Sequence, residues 1–295
     1  MSGALLQISD PHFGTEQPPV MRALERLAHA EAPEVVVFSG DITQRATRAQ
    51  FGAARAFVER LGVRNVLAIP GNHDIPLFQL GARLFGPYER YAEAFGKELE
   101  PEFESPDWLV VMVNTTRWYR HEDGEVSPAQ IERVAERLAR AAPRQLRVVV
   151  THQPVVVTRP EDESNRLHGR DAAVARWSAA GADLVLGGHI HLPFVRPLHG
   201  LFADCPRPLW AVQAGTAVSS RVRAGKPNSV NLVRHRMAGG REDAASDSAR
   251  AGRRCTVERW DYSVADDRFM RADSHDLLLA DAGSETLSAP FVQSR

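Results

Sequence analysis

Short continuous runs of apolar, often β-branched residues punctuate the chain: "ALLQIS", "EVVVFSG", "NVLAIPG", "WLVVMVNT", "LRVVVTH" and "ADLVLGGH". Runs of this length without polar alternation predict strands buried on both faces. Between the earlier runs the period is helical instead. In "PPVMRALERLAHAEAP", Met21, Leu24, Leu27 and Ala28 share one face, with prolines before and after as punctuation. "TRAQFGAARAFVERLG" repeats the pattern with Phe51, Ala54, Phe57 and Leu61, and Gly62 is placed to cap its C-terminus. "SPAQIERVAERLARAAP" opens on Ser127 as N-cap with Pro128 at the first helical position. This strand–helix alternation predicts an α/β sheet with helices on both faces.

The later third differs. "PLWAVQAGTAVS", "NSVNLVRHR" and "CTVERWDYS" read as strands with little helix between them, which predicts antiparallel additions to the sheet. "MAGGREDAASDSARAGRR", rich in Gly, Ala, Ser and charge, predicts a mobile hairpin loop over about 237–254, its arginines a solvated surface. "LLLADAGSETLSAPFVQSR" has no clear period. One domain over 1–265 followed by a C-terminal tail over 266–295 is therefore expected, and no internal repeat is visible.

Composition mainly excludes. At 295 residues, 43% hydrophobic and 25% charged, the chain is an ordinary globular protein able to bury a large core. A formal net charge of −1 gives no global pull toward nucleic acid or membrane. No apolar stretch approaches the ~20 residues of a spanning helix. Asp10 interrupts the only early candidate for a leader. Cys205 and Cys255, neither in a CxxC pair, are too few for a disulfide framework, so a reduced, cytoplasmic protein is expected.

The chemistry stands where the apolar runs end. Asp10 and His12 follow the first; Gly40 and Asp41 follow the second; Gly71, Asn72, His73 and Asp74 follow the third. Two later runs lead to His152 and to Gly188, His189 and His191, so five of the eleven histidines share one kind of place. Taken singly, each of these motifs is an ordinary turn or strand end. Together they converge, because the carboxyl ends of strands in an open α/β sheet form its ligand crevice. Imidazoles, carboxylates and one amide, with no thiolate, suit Mn, Fe, Zn or Co. The donors outnumber what one ion needs, and two ions ~3.5–4 Å apart sharing a carboxylate would use them all. His189 and His191, at i and i+2, fall on one face if the chain there is extended. Pro11 biases Asp10 toward extended backbone, which would stiffen the first motif.

The ordered set Asp10-x-His12, Gly40-Asp41, Gly71-Asn72-His73-Asp74, His152 and Gly188-His189-x-His191 resembles the calcineurin-like metallophosphoesterases. The strings "ISDPHFG", "FSGDITQRA" and "IPGNHDIP" are similar to its bacterial cyclic-nucleotide phosphodiesterase and glycerophosphodiesterase branch. The resemblance implies a four-layer α/β/β/α sandwich of two mixed sheets flanked by helices. It also implies that Asp10, His12 and His191 hold one ion, that Asn72, His152 and His189 hold the second, and that Asp41 bridges them. His73 would contact the phosphate or protonate the leaving oxygen, with Asp74 orienting its imidazole. Gly40, Gly71 and Gly188 would let backbone pass close to the ions. Thr151 before His152 departs from the family's usual glycine without touching the ligating ring. At the rim, Arg45, Arg117, Trp118 and Phe194 are candidates to bind substrate, and Gln44, Tyr119 and His121 lie beside them.

The implied activity is hydrolysis of a small phosphodiester by attack of a metal-bridging hydroxide. Two alternatives stay open: a pyrophosphohydrolase of a nucleotide-linked lipid precursor, and a metal-free interaction scaffold on the same fold. Nucleic acid is not the expected partner, since no basic stripe is present. Monomer and homodimer are both open.

Overall fold

The computed structural model describes residues 3–77, 80–120, 122–236 and 253–280. In chain order its elements are β1 (Ala4–Ile8), α1 (Pro18–Glu31), β2 (Val35–Ser39), α2 (Arg48–Leu61), β3 (Asn65–Ile69), α3 (Leu80–Phe85) and α4 (Glu89–Phe95). There follow β4 (Glu102–Glu104), β5 (Trp108–Met112), α5 (Pro128–Ala139), β6 (Leu146–Val150), α6 (Arg170–Ala179) and β7 (Leu184–Gly187). The chain then runs through β8 (Phe194–Pro197), β9 (Trp210–Gln213), β10 (Ser229–Arg236), β11 (Arg254–Ser263) and β12 (Arg268–Leu278). Short 3-10 turns cover Asn72–Asp74 and Pro160–Asn165.

The strands form two six-stranded sheets, ordered β12-β11-β10-β1-β2-β3 and β4-β5-β6-β7-β9-β8. Both are mixed. β1, β2 and β3 run parallel, with β10, β11 and β12 added antiparallel. In the second sheet β5, β6, β7 and β9 are parallel, and the antiparallel members β4 and β8 are the edges. "WAVQ" in β9 is thus a parallel neighbour of β7, not the antiparallel addition its position suggested.

Continuous apolar runs are explained by what lies on each side. Leu5, Val35, Val37 and Ile69 of the first sheet pack against Val110, Val148, Val150 and Leu186 of the second. The opposite face of the first sheet (Leu6, Ile8, Val36, Phe38) meets Leu24, Phe51, Phe57 and Tyr91 from α1, α2 and α4. That of the second (Leu109, Val111, Val149, Val185) meets Ile131, Val134, Leu138 and Trp177 from α5 and α6. The result is the expected α/β/β/α sandwich. Gln7, the polar member of β1, ties the sheets together: its Nε2 donates to Ser39 Oγ (3.1 Å) and Gly187 O (3.0 Å), and its Oε1 accepts from Asn231 (2.9 Å).

Helix ends follow the local chemistry. Thr47 accepts from Gln50 N to cap α2, which ends on Gly62 at φ 67°. Ser127 and Gln130 form a capping box on α5, with Pro128 following the cap. The tail expected from residue 266 is, over Arg268–Leu278, instead the outer strand β12, held by antiparallel pairing to β11. Most of the expected hairpin loop, 237–252, lies outside the described residues, as do 281–295.

Candidate metal centre

The loops after β1 and β2 are zipped to each other. Asp10 N donates to Gly40 O (3.1 Å), His12 N to Asp41 O (3.0 Å) and Phe13 N to Ile42 O (2.8 Å). Those bonds hold backbone that would otherwise be disfavoured. Asp10, His12, Asp41, His189 and His191 all have positive φ, between 42° and 72°. Left-handed conformation costs a non-glycine residue ~1–2 kcal/mol, and such strain concentrates at functional sites. Two expectations are corrected here. Asp10, at φ 50°, is not extended despite preceding Pro11, and His189 and His191 share a face through left-handed turns rather than extended chain. In the first case the zipper to Gly40 outweighs the proline's local bias. In the second, the Asp10 carboxylate holds His189 N (3.0 Å). At φ 96° Gly40 lies so close to His152 that a Cβ would be 2.4 Å from its Nδ1. At Gly71 a Cβ would be 2.1 Å from Asp41 N.

Five strand ends thereby converge. Ligand atoms of Asp10, His12, Asp41 and His191 lie within 4.8 Å of one another, and those of Asp41, His152 and His189 form a second such group. Asp41 belongs to both: Oδ2 is 3.6 Å from His12 Nε2, and Oδ1 is 3.3 Å from His152 Nε2. Asn72 Oδ1, 3.2 Å from His152 Nε2, joins the second group.

The hydrogen bonds show that these groups fit cations. His152 Nδ1 donates to Ser39 O (2.8 Å) and His191 Nδ1 to Arg221 O (2.6 Å), which turns each Nε2 inward toward the cluster. His189 Nε2 donates to Asn165 Oδ1 (3.1 Å), which leaves its Nδ1 buried with no hydrogen-bond partner. His12 Nε2 and His191 Nε2 face each other at 3.1 Å, an arrangement that needs either a proton or a cation between them. Outer-nitrogen bonds that fix the tautomer and aim the other nitrogen inward are the usual support of metal-binding histidines.

Charge divides the same way in both groups. Burial drives His12 down to about 3 against the pull of Asp41 and Asp10. Burial, reinforced by His152, lowers His189 to about 4. Burial opposes protonation of His152 and His191 too, but Asp41 carries His152 up to about 9 and Asp10 raises His191. Burial would raise both carboxylic acids, yet the imidazoles outweigh it, holding Asp10 at about 2 and Asp41 well below its ordinary value. His12 and His189 are thus bare, whereas His152 keeps a proton where a cation would sit and His191 is shifted in the same direction.

His73 is placed beside the cluster, its ring centroid 4.9 Å from that of His12. Its Nδ1 donates to Gln44 O (3.1 Å), and its Nε2 accepts from Arg221 (3.1 Å). Asp74 does not orient this ring. Its carboxylate accepts instead from Gly71 N (2.9 Å), Ile42 N (2.9 Å), Thr43 N (2.7 Å) and Thr43 Oγ1 (2.8 Å), tying the third motif to the second. Burial and the charge of Asp41 push it up to about 6 against those bonds.

Two adjoining cavities open over the centre. One of about 340 Å³ is lined by Asp41, His189 and His191; the other, of about 670 Å³, runs past Arg45, Arg90 and Ile75. Asn72, His73, Glu122 and Arg221 line both. Of the four rim candidates, Arg45 lies in the larger cavity. Arg117, Trp118 and Phe194 line neither. The Arg117 guanidinium is turned back onto Asn114 O (3.0 Å), Thr116 O (2.9 Å) and Gln130 Oε1 (2.6 Å). Trp118 stacks edge-on against Tyr119, and Phe194 pairs with Gln213 at the start of edge strand β8. His121 lies outside the described residues. Sequence reasoning missed Arg221, Asn165 and the Arg223–Asp162 pair (2.8 Å) that fastens the Pro160–Asn165 turn. Nothing in the sequence separates these from other loop residues.

Residues 4–193 match the family model of the calcineurin-like phosphoesterases. The chain belongs to that family. Among curated relatives, a "probable cyclic nucleotide phosphodiesterase" of Synechococcus sp. is 25% identical over 221 residues, covering 70% of this chain and 80% of the relative. A dimetal phosphatase from Danio rerio is similar in fold, with a TM-score of 0.61 at 13% identity, over 95% of this chain and 99% of its own. The purple acid phosphatase PPD1 of yellow lupin has a TM-score of 0.63 at 12% identity, over 98% of this chain and 57% of its own. No helix among the described residues is long and apolar enough to cross a membrane.

Proposed function

We propose that this calcineurin-like phosphoesterase is a two-metal phosphodiesterase acting on small diesters of the cyclic-nucleotide or glycerophosphodiester type. The observation that carries the reading is Asp41, whose two oxygens face two separate imidazole groups. A shared carboxylate between two donor sets suits a pair of ions, drawn from Mn, Fe, Zn or Co by the donor chemistry. Bound there, such ions supply Lewis acidity at phosphorus and hydroxide near neutral pH. Asp10, His12, Asp41 and His191 would hold one ion, and Asp41, Asn72, His152 and His189 the other.

The remaining steps belong to the chain itself. His73 and Arg221 line both cavities, so a diester reaching the centre passes beside both. Arg221 occupies the Nε2 lone pair of His73, and a phosphoryl oxygen is a stronger acceptor for its guanidinium than a neutral ring. Transfer of Arg221 to substrate frees the His73 Nε2 lone pair to take up a proton from solvent and deliver it to the leaving oxygen. The diester class is supported by the likeness to the Synechococcus relative. Two free, buried cysteines support a reducing compartment, and we place the enzyme in the cytoplasm.

The test is Asp41→Ala assayed on bis(p-nitrophenyl) phosphate in excess Mn²⁺. Near-complete loss of turnover is expected; a variant as fast as the parent refutes the two-metal reading. A substrate panel tests the class separately, since turnover of monoesters with none of diesters would overturn it.

A further inference from the structure

We propose that the natural substrate carries a second phosphate, held by Arg45, Arg90 and Arg221 in the larger cavity. The inference rests on the phosphodiesterase reading and names the substrate more narrowly. Three arginines from three parts of the chain line that cavity: Arg45 from the loop after β2, Arg90 from α4, and Arg221 from the loop after β9. They converge on residues 44–46. Arg221 donates to the Gln44 side chain (2.9 Å), Arg90 to the carbonyl of Ala46 (2.9 Å), and Arg45 lies between.

The cavity lining is rich in positive charge, and Arg90 also acts on Glu93 outside it. Against the three guanidinium groups the cavity presents a single carboxylate, Glu122. Arg221 is partly buried, its side chain bonded to an amide oxygen and a neutral ring, with no carboxylate partner among the described residues. Thr47, the N-cap of α2, also lines the cavity, so the positive end of a 14-residue helix adds to the field. The cyclic diesters and bis(p-nitrophenyl) phosphate carry only the charge that the metal centre itself receives. They leave this second cationic surface unused.

The distribution of residues orients the substrate. Its scissile phosphate occupies the cavity over Asp41, His189 and His191. Its phosphorylated portion passes His73 and Asn72, which line both spaces, and ends against residues 44–46. Arg221 stands at the seam and can serve either phosphate. A phosphate is matched bidentately by each guanidinium, which makes arginine well suited to the site.

A pair of dinucleotides that share one diester isolates the second phosphate: ApA, and pApA with a 5′-phosphate. With Mn²⁺ present, kcat/KM for pApA is expected to exceed that for ApA at least about tenfold through KM, as charge-assisted hydrogen bonds would give. The ratio is expected to fall toward one in Arg90→Ala and in Arg45→Ala. A binding arm without added metal uses thermal shift in chelator. There adenosine 3′,5′-bisphosphate should stabilise the protein more than AMP does, and the difference should shrink with salt. Equal turnover of the two dinucleotides overturns the second-phosphate site while leaving the diesterase intact. If neither dinucleotide is cleaved, the binding arm decides, and equal shifts with AMP and the bisphosphate overturn it. Failure on bis(p-nitrophenyl) phosphate as well removes the phosphodiesterase reading itself.

Discussion

Gly71→Ala should disable this centre although it alters no candidate ligand. A Cβ on residue 71 would stand 2.1 Å from Asp41 N, 2.2 Å from its Oδ1 and 2.8 Å from its Cα. Ordinary contact begins near 3.4 Å, so the Asp41 backbone must retreat by about 1.3 Å. No torsional strain is involved, since Gly71 has φ −97°. Asp41 Oδ1 also accepts from His73 N (2.9 Å), so the shift misplaces the Asp41 carboxylate and the proposed proton carrier His73 together. Displacements near 1 Å cost ~10²-fold in rate, and overpacking of this kind costs ~1–3 kcal/mol in stability. Gly52→Ala is the control. It makes the same change on an exposed face of α2 where a Cβ meets nothing within 4 Å, and should stabilise by about 0.5–1 kcal/mol. The assay is kcat/KM on bis(p-nitrophenyl) phosphate at saturating Mn²⁺, with bound metal measured by mass spectrometry and folding by thermal denaturation. Gly71→Ala should lose about 100-fold in rate and hold less metal. A Gly71→Ala enzyme within about threefold of the parent and fully loaded would refute the packing of Asp41 against the third motif.

Metal affinity should rise with pH. The cation-free protein keeps a proton on His152, whose pKa is raised to about 9, and the ring must lose it to bind an ion. Affinity from this group alone should climb about tenfold per pH unit below pH 9 and level off above it, with proton release visible by calorimetry in buffers of different ionisation enthalpy. A pH-independent affinity between pH 7 and 9 would contradict it. Stability of the chelated protein follows the opposite sign for this group. The stabilisation from protonated His152 is present below its unfolded pKa near 6.5 and is lost as pH rises through about 9, as denaturation midpoints would show. Asn165→Ala removes the acceptor that aims His189, and should weaken metal binding about 10–100-fold with little change in melting temperature. Arg117→Ala should act the other way. It lowers stability by about 1–3 kcal/mol through three lost hydrogen bonds, and an altered KM would return this residue to the substrate site.

What the sequence made legible, and what it hid, has a physical pattern. Strands such as "VVVFS" and "LRVVV" were readable because both faces are covered, which forces uninterrupted apolar runs. Capped helices α2 and α5 were readable from Gly62, Ser127 and Pro128. Helix α6 was not, because its buried face is made of Ala173, Val174 and Trp177, where one large residue among small ones leaves no strong period. Strand β12 alternates buried and exposed positions only weakly, with Phe269 and Leu277 buried among exposed charges, so it read as tail. The seven candidate ligands were legible because each ends an apolar run. Asp74 was misread because adjacency in sequence suggested contact, whereas the 3-10 turn at Asn72–Asp74 sends its carboxylate into the 42–43 backbone. Arg221 was illegible for the opposite reason: it stands 148 residues from His73 and is brought to it only by the loop after β9.

Anomalous diffraction from crystals loaded with Mn²⁺ would place the ions outright. Two peaks are expected ~3.5–4 Å apart, one against Asp10, His12 and His191 and the other against Asn72, His152 and His189, with the Asp41 carboxylate between them. A single peak, or a pair that Asp41 does not touch, would contradict the shared-carboxylate centre from which the proposed chemistry follows.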